Sequence, residues 1–226
     1  MHTRWLLLAA LFTFGACTTP GVPRGTAGDW HAVSLPGKDN TRYEREHKDG
    51  RAAWCATSER SASMWRRQVD VAPARIGVVS FSWWVQDLIA DASVAEAHLE
   101  DAPARVLFAF DGNVSALPAR TRLLFDLAEA LSGERPPYAT LMYVWDAKAP
   151  VGTVIINPRS DRIRKIVVDS GAVQLRRWRD HRRDLAADYR LAFGEAPGPL
   201  TAIAIMTDSD NTQSRAKSWY GAVDLH

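Results

Sequence analysis

Ile76–Val85, which reads IGVVSFSWWV, is the stretch that decides the fold. It is rich in β-branched and aromatic residues, the side chains that favour extended strands. Ala104–Phe110 (ARVLFAF) repeats this composition and ends in the turn dipeptide Asp111-Gly112. The two segments predict strands that contribute to the core of a β-sheet protein.

Further strands are predicted on either side of these two. Thr41–Lys48 and Arg51–Ser58 flank Asp49-Gly50, and an Asp-Gly dipeptide between two such segments is a strong hairpin signal. The other predicted strands are Tyr138–Trp145, Val151–Ile156, Ile163–Val168, Leu200–Thr207 and Ser218–Leu225. Many short strands separated by regular turns predict a mainly β domain, an antiparallel β-sandwich of jelly-roll type.

Two segments show helical periodicity instead. In Ala119–Leu131 the apolar residues recur at helical spacing, and Gly133 follows as a stop signal. Those apolar residues are Leu123, Leu124, Leu127 and Leu131. Arg176–Phe193 is the second predicted helix, closed by Gly194. We therefore expect one or two peripheral helices on the sandwich.

The first residues of the chain have the order of a secretory signal. Basic His2 and Arg4 precede the apolar run Trp5–Phe12, and small residues Gly15-Ala16 stand directly before Cys17. The apolar run is too short to cross a bilayer, which takes about 20 residues. With cysteine at the cleavage point, the segment resembles the lipobox of bacterial lipoproteins, which are cut before the cysteine and acylated on it.

This resemblance predicts a signal peptide over residues 1–16 and lipidation of Cys17. Phe14 stands where the lipobox usually carries Leu, and the alternative is an ordinary secreted protein cut near Ala16. Thr18, rather than Asp, follows the cysteine. By resemblance to lipoproteins of Gram-negative bacteria, that residue favours an outer-membrane lipoprotein facing the periplasm.

Residues 17–28 read as the lipidated cysteine and a flexible tether. Thr18–Gly28 is rich in Thr, Pro and Gly, and spans at most about 35 Å at full extension. Residues 29–226 are predicted to form a single domain, long enough to bury a sizeable core. The anchor makes the membrane the expected partner and favours ligands found in the envelope.

Composition sets limits on partners and on redox chemistry. The net charge of +2 is too small to argue for nucleic acid. The chain has 2 Cys, so only Cys55 remains once Cys17 is lipidated, and a disulfide within the domain is excluded. No common catalytic motif is present, and the histidines show no metal-ligand spacing.

Asp208-Ser209-Asp210-Asn211-Thr212 is the most concentrated acidic group in the chain. Clustered oxygen donors on a loop can hold Ca²⁺, with Asp208 and Asp210 as candidate ligands. The EF-hand pattern fails, since Gln213 replaces the required Gly and Trp219 stands at the position of the bidentate Glu. The alternative is an Asx-rich turn in which the side chains accept hydrogen bonds from nearby amides. No other cofactor is expected.

The tryptophans are candidates for sugar stacking. Trp83 and Trp84 occupy adjacent strand positions and must face opposite sides, so that one of them is predicted in the core. The predicted ligand-binding set combines aromatic rings with acidic and amide groups. Its members are Trp84, Asp101, Trp145, Asp208, Asp210, Asn211 and Trp219.

Two charged groups have both a functional and a structural interpretation. Glu44 and Glu46 lie two apart on one strand face, and paired carboxylates about 5 Å or more apart can hydrolyse glycosides. Arg42 and Lys48 continue the same alternation, which is typical of a solvated face. Arg176–Arg183 is the strongest basic run; it could contact lipid head groups or an anionic glycan, or form a solvated helix face.

Several segments in order resemble a bacterial family known as domain of unknown function 3047. They are Gly37-Lys38 with Thr41-x-Tyr43, Ser61-Ala62-Ser63, Ser82-Trp83-Trp84-Val85, Asp101-Ala102-Pro103-Ala104-Arg105, Phe108-Ala109-Phe110-Asp111-Gly112, Tyr143-Val144-Trp145, Asp188-Tyr189, Phe193-Gly194-Glu195, and Asp208–Thr212 followed by Trp219-Tyr220-Gly221. Ser209 stands where we expect Thr. The resemblance implies an exported single-domain protein and supplies no established activity.

Together these features predict a non-catalytic envelope lipoprotein that binds a glycan or an envelope partner. Two alternatives stay open: an enzyme acting on envelope polysaccharide, and a purely structural envelope lipoprotein.

Overall fold

The computed structural model describes residues 29–226. The signal peptide predicted for residues 1–16, the lipidation site Cys17 and the tether up to residue 28 lie outside the described residues. The strands are β1 His31–Ser34, β2 Arg42–Lys48, β3 Arg51–Glu59, β4 Ser63–Val71, β5 Val78–Val85, β6 Ala102–Phe110, β7 Ala139–Asp146, β8 Val154–Asn157, β9 Ser160–Ser170, β10 Trp178–Asp184, β11 Leu200–Asp208 and β12 Arg215–Leu225. The α-helices are α1 Ala119–Ser132 and α2 Leu185–Phe193.

The strands form two sheets packed face to face. The seven-stranded sheet has the order β1-β4-β11-β6-β7-β9-β8, and the five-stranded sheet has the order β10-β5-β12-β3-β2. Successive strands from β3 to β6 alternate between the sheets, and β11 passes to β12 in the opposite sheet. This crossing pattern is jelly-roll-like and confirms the predicted sandwich with two helices.

One pair departs from the antiparallel arrangement. β7 runs parallel to β9, because β8 forms a hairpin with β9 on its outer side. Neighbouring pairs elsewhere in residues 29–226 are antiparallel.

The core lies between the sheets and follows from strand alternation. Phe81 and Trp83 of β5 face Phe108 and Phe110 of β6 within one cluster of buried side chains. Each such ring contributes about 1.5–3 kcal/mol through removal of its apolar surface from water. One tryptophan of the pair was predicted in the core, and it is Trp83; Trp84 lies on the outer face of the five-stranded sheet.

Helix α1 confirms the first helical prediction and ends at Gly133, which adopts a left-handed conformation with φ 73°. The second prediction is wrong over its first half, because Trp178–Asp184 forms strand β10 against β5. Its alternate residues turn inward to buried acids: Arg179 and His181 bind Asp169. Helix α2 begins only after Asp184, whose side chain accepts a hydrogen bond from the backbone N–H of Ala187 at 2.8 Å.

Two strands have no counterpart among the predictions. β1 and β4 form one edge of the seven-stranded sheet, and β4 carries Arg66, Arg67 and Gln68 in a sequence with little apolar alternation. Neither helix in residues 29–226 is long and apolar enough to cross a membrane.

Candidate functional site

A groove of about 560 Å³ lies on the outer face of the seven-stranded sheet. It spans four neighbouring strands, β4, β11, β6 and β7. Small-molecule sites commonly enclose about 300–1,000 Å³, and the groove falls within that range.

The floor of the groove is apolar because the central strands are apolar on both faces. On β6, Val106 and Phe108 face the core, while Leu107 faces the groove. On β11, Ile203 and Ile205 face the core. The groove side of β11 carries Ala202, Ala204 and Met206.

Methionine is concentrated on this floor. Met64, Met142 and Met206 all line the groove, and the whole chain contains only 4 Met. Met206 pairs with Met64 across β11 and β4, while Met142 pairs with Leu107 across β7 and β6. Because methionine side chains are flexible and polarizable, such a surface adapts to ligands of varied shape.

A buried ion pair closes one end of the groove. Arg105 donates to both carboxylate oxygens of Asp208, at 2.8 Å from Nε and 2.9 Å from Nη2. Its Nη2 also donates to the backbone oxygen of Glu100 at 2.8 Å. Burial raises the pKa of Asp208 to about 6, against the opposing effect of Arg105.

A second group of charged side chains surrounds Glu100 at the same end of the groove. Its carboxylate accepts hydrogen bonds from Asn157 at 2.7 Å and Arg159 at 2.8 Å, and pairs with Lys165 at 2.7 Å. Burial lowers the pKa of Lys165 to about 8. Buried ionisable groups with shifted pKa values at the wall of a cleft are characteristic of functional sites.

The predicted acidic residues meet beside this end. Carboxylate oxygens of Asp101, Asp208 and Asp210 lie within 4.8 Å of one another. Asp101 accepts hydrogen bonds from the N–H of Asn211 at 3.1 Å and from Thr212 N–H at 2.7 Å. Asp208, Asp210 and Asn211 also line the groove, while Asp101 supports the loop from behind.

The carboxylates of this loop are already paired: Asp208 with Arg105 and Asp210 with Lys38. A Ca²⁺ ion would have to compete with these two cations, and Ca²⁺ binding here stays a prediction. The contacts of Asp101 with Asn211 and Thr212 join segments far apart in the chain, so they are tertiary contacts and not those of a local Asx turn.

The predicted tryptophans are absent from the groove. Trp145 is 0% exposed and faces the core, where its Nε1 donates to the backbone oxygen of Gly171 at 3.1 Å. Trp84 and Trp219 are buried on the outer face of the other sheet, with ring centroids 5.0 Å apart. The Lys48 Nζ covers Trp84 at 3.8 Å from its centroid. The expectation that these rings form a sugar-stacking platform is wrong, because none is open to a ligand.

The predicted carboxylate pair lies on that same far face. Glu44 is exposed beside Arg42, with 3.5 Å between their charged atoms. Glu46 accepts a hydrogen bond from Trp219 Nε1 at 2.7 Å, which lowers the pKa of its carboxyl. These contacts are those of a solvated strand face and leave both residues outside the groove. Nearby Cys55 is buried, and burial raises its pKa to about 11, which disfavours the reactive thiolate.

Several groove residues were not singled out from the sequence for function. One feature of the sequence distinguishes Arg105: it is the only charged residue in the apolar run Ala104–Phe110. Nothing in the sequence distinguishes the methionines, because their clustering depends on the register of strands far apart in the chain.

Comparison with known proteins gives a family and similar solved structures. The family model described as "Protein of unknown function (DUF3047)" matches residues 28–224. A search of curated proteins finds no match. Among solved structures, the chain is similar to the family 11 carbohydrate-binding module of the cellulosomal cellulase Lic26A-Cel5E of Clostridium thermocellum, with 10% identity and a TM-score of 0.41. That similarity covers 89% of this chain and 88% of the other.

Proposed function

This chain belongs to the DUF3047 family, and we propose that it is a membrane-anchored, non-catalytic binding module of the bacterial envelope. The groove on the outer face of the seven-stranded sheet is the observation that carries the proposal. The outer face of a sheet in a β-sandwich is commonly polar, whereas here Leu107, Met142 and Met206 form the floor of a groove. These side chains are 5%, 8% and 8% exposed, and we infer that a ligand occupies the groove above them.

The ligand is an amphiphile with an apolar body and a polar, hydrogen-bonding head. Its apolar body lies along the methionine floor, which offers dispersion contacts without directional hydrogen bonds. Its head lies at the closed end, where Arg105, Asp208 and Asn211 supply donors and acceptors. A free glycan is a poorer match, since sugar rings are usually held by aromatic faces and the described side chains lining the groove are aliphatic or polar.

The pairing of the charged groups supports a role in binding. Arg105 is held by Asp208, while Lys165 and Arg159 are held by Glu100. Groups fixed in such pairs present a constant set of charges and hydrogen bonds that can orient a ligand. The polysaccharide-active alternative named Glu44 with Glu46 as its carboxylate pair, and both residues lie on the opposite face of the sandwich.

The proposed location rests on the sequence. Cleavage before Cys17 and acylation of its thiol and amino group attach the chain to the outer membrane on the periplasmic side. Two or more acyl chains hold a protein essentially irreversibly, at about 0.8 kcal/mol for each buried methylene. The ligand is therefore found near the membrane surface.

A variant that fills the groove tests the proposal. Ala204→Trp places an indole on the floor, and we expect it to weaken binding of a fluorescent dodecanoate probe at least about tenfold, or ~1.4 kcal/mol. The probe is titrated into the full chain carrying Cys17→Ser, which has no acyl chain of its own. Ala74→Trp, at an exposed turn between β4 and β5, is the matched control and should bind as the parent does.

Competition identifies the ligand class. Octyl glucoside below its micelle concentration should displace the probe, and glucose should not. Equal affinity of the Ala204→Trp and Ala74→Trp variants, both folded by circular dichroism, would contradict the groove as the site. Failure of any amphiphile or glycan to bind would favour the structural alternative.

A further inference from the structure

Helix α1 presents an apolar stripe away from the body of the protein. The exposed fractions are 67% for Leu123, 45% for Leu124, 53% for Leu127 and 69% for Leu131. Phe125 and Thr121 are the buried residues of this helix. At about 100° per residue, the four leucines fall within an arc of about 100° that lies opposite Phe125.

Charges are arranged around this stripe in a particular way. Arg120 is exposed and falls within the same arc, one turn before Leu124. It forms no ion pair with the other described residues. Asp126, on the flank, and Glu129, on the side of Phe125, are both paired with Arg135, at 3.3 and 3.4 Å. An apolar stripe with an available cation at its end is the pattern of a helix that lies in a membrane interface.

The domain begins beside this helix. His31 of β1 pairs with Arg66 of β4, and Arg66 donates to both carboxylate oxygens of Glu134 at 2.8 and 3.0 Å. Glu134 follows the last residue of α1 by two positions. The chain that precedes residue 29, with Cys17 at the far end of the tether, therefore joins the domain next to α1.

We propose that the leucine stripe of α1 lies on the lipid bilayer to which Cys17 anchors the chain. This inference rests on the lipid anchor of the proposed function. The anchor keeps the domain within about 35 Å of the membrane, so a weak apolar contact acts at high effective concentration. Four leucines transferred from water into the interface are then sufficient to orient the domain.

The orientation has a consequence for the groove. Glu134, Arg135 and Pro137, directly after α1, line its end distant from Arg105. With the leucine stripe on the bilayer, this end faces the membrane. An amphiphile therefore passes from the bilayer into the groove along its length.

Depth-dependent fluorescence quenching tests the inference on the lipidated full chain. Leu127→Cys is labelled with bimane and reconstituted into phosphatidylethanolamine–phosphatidylglycerol vesicles that contain doxyl-labelled lipid. Cys17 is acylated and Cys55 is buried, so the label reacts at the introduced cysteine. Val173→Cys is the matched control, because Val173 is 81% exposed.

The control position lies at the opposite end of the sandwich. Gly171 N–H donates to the backbone oxygen of Asp146 at 3.0 Å, and Asp146 ends strand β7, which begins next to α1. Eight residues of β7 separate the two ends by about 25 Å. We expect doxyl lipid to quench the label at Leu127 several-fold more strongly than at Val173. Leu131→Cys serves as a second position should Leu127→Cys fail to fold.

The possible outcomes distinguish the lipid anchor at Cys17 from the docking of α1 on the bilayer. Chains that do not float with vesicles overturn the lipid anchor, whatever the groove binds. Chains that float, but in which the labels at Leu127 and Val173 are quenched equally, overturn the docking of α1. A Leu127 label that is shielded from aqueous iodide without being quenched by doxyl lipid indicates a protein partner or a second copy, and also overturns it.

Discussion

Arg105 lines the polar end of the groove, and Lys165 lies behind it, paired with Glu100. Both are almost fully buried, and each depends on carboxylates contributed by segments distant in sequence. A buried charge costs several kcal/mol unless it is paired. Removal of one partner therefore leaves the other charge buried without compensation, which destabilises the fold. The electrostatics of this end are therefore sensitive to pH as well as to substitution.

Lys165 provides a pH test of the network. Its folded pKa of about 8 lies below its ordinary value of 10.5. Between these values the unfolded chain binds more protons than the native one, so stability falls as the pH is lowered from about 10.5 to about 8, and the loss is complete below about 8. The difference in free energy of unfolding between the parent and Lys165→Met should rise by about 3 kcal/mol as the pH is raised through this window, at ~1.4 kcal/mol per unit.

Urea denaturation of the two proteins at several pH values measures this difference. Subtraction removes the groups that both proteins share, including the tyrosines that titrate at higher pH. Parallel stability curves would show that Lys165 keeps an ordinary pKa and that burial does not control its charge.

Some residues of the site could be predicted and others could not. Asp208, Asp210 and Asn211 stand together in the sequence, so their proximity in the groove wall needed no tertiary information. Their partners Arg105 and Lys38 lie more than 100 positions away in the chain. The sequence therefore indicated the acids but not the cations that pair with them.

At the level of the element, β10 and α2 show how one basic segment divides into two structures. Arg179, His181 and Arg183 alternate along β10, and their inward direction depends on the buried acids Asp169 and Asp188. Those acids belong to other elements, so charge alone suggested a solvated helix. The boundary between β10 and α2 can be recognised in the sequence, because Asp184 is a favourable N-cap residue directly before an apolar helix.

The N-cap of α2 can be tested with two substitutions. Asp184→Ala removes the acceptor for the Ala187 N–H and should lower the free energy of unfolding by about 1 kcal/mol. Asp184→Asn keeps an acceptor at the same position and should cost only a few tenths of that. Chemical denaturation compares the two variants, and equal losses would show that the charge, not the cap, stabilises the helix.

Helix α1 illustrates what periodicity can and cannot establish. Its four leucines at helical spacing predicted the helix correctly, and Gly133 marked its end. Periodicity does not say which side of the helix meets the protein. Phe125 packs inward and the leucines face outward, which became apparent only from the position of the helix on the sandwich.

For the whole molecule, the sandwich was predictable and the groove was not. Strand composition and turns identified the strands that bury the core, since alternation on β5 and β6 is strong. The groove requires β4 and β11 to lie beside β6, and β4 has too little apolar alternation to be recognised. The composition of Leu200–Thr207 did indicate the groove side of the sheet. A strand that is apolar on both faces is expected to be covered on both, one face by the core and the other by something else.

The central claim is that the methionine floor binds the apolar body of an amphiphile, and methionine methyl NMR tests it most directly. In the full chain carrying Cys17→Ser, ¹³C-methyl labelling provides three reporters in the groove, and Ala74→Met adds an exposed control outside it. Octyl glucoside below its micelle concentration should shift Met64, Met142 and Met206 together, saturably and with one Kd, and leave the methionine of the Ala74→Met variant unchanged. Unchanged groove methyls, or equal shifts with glucose alone, would contradict the account.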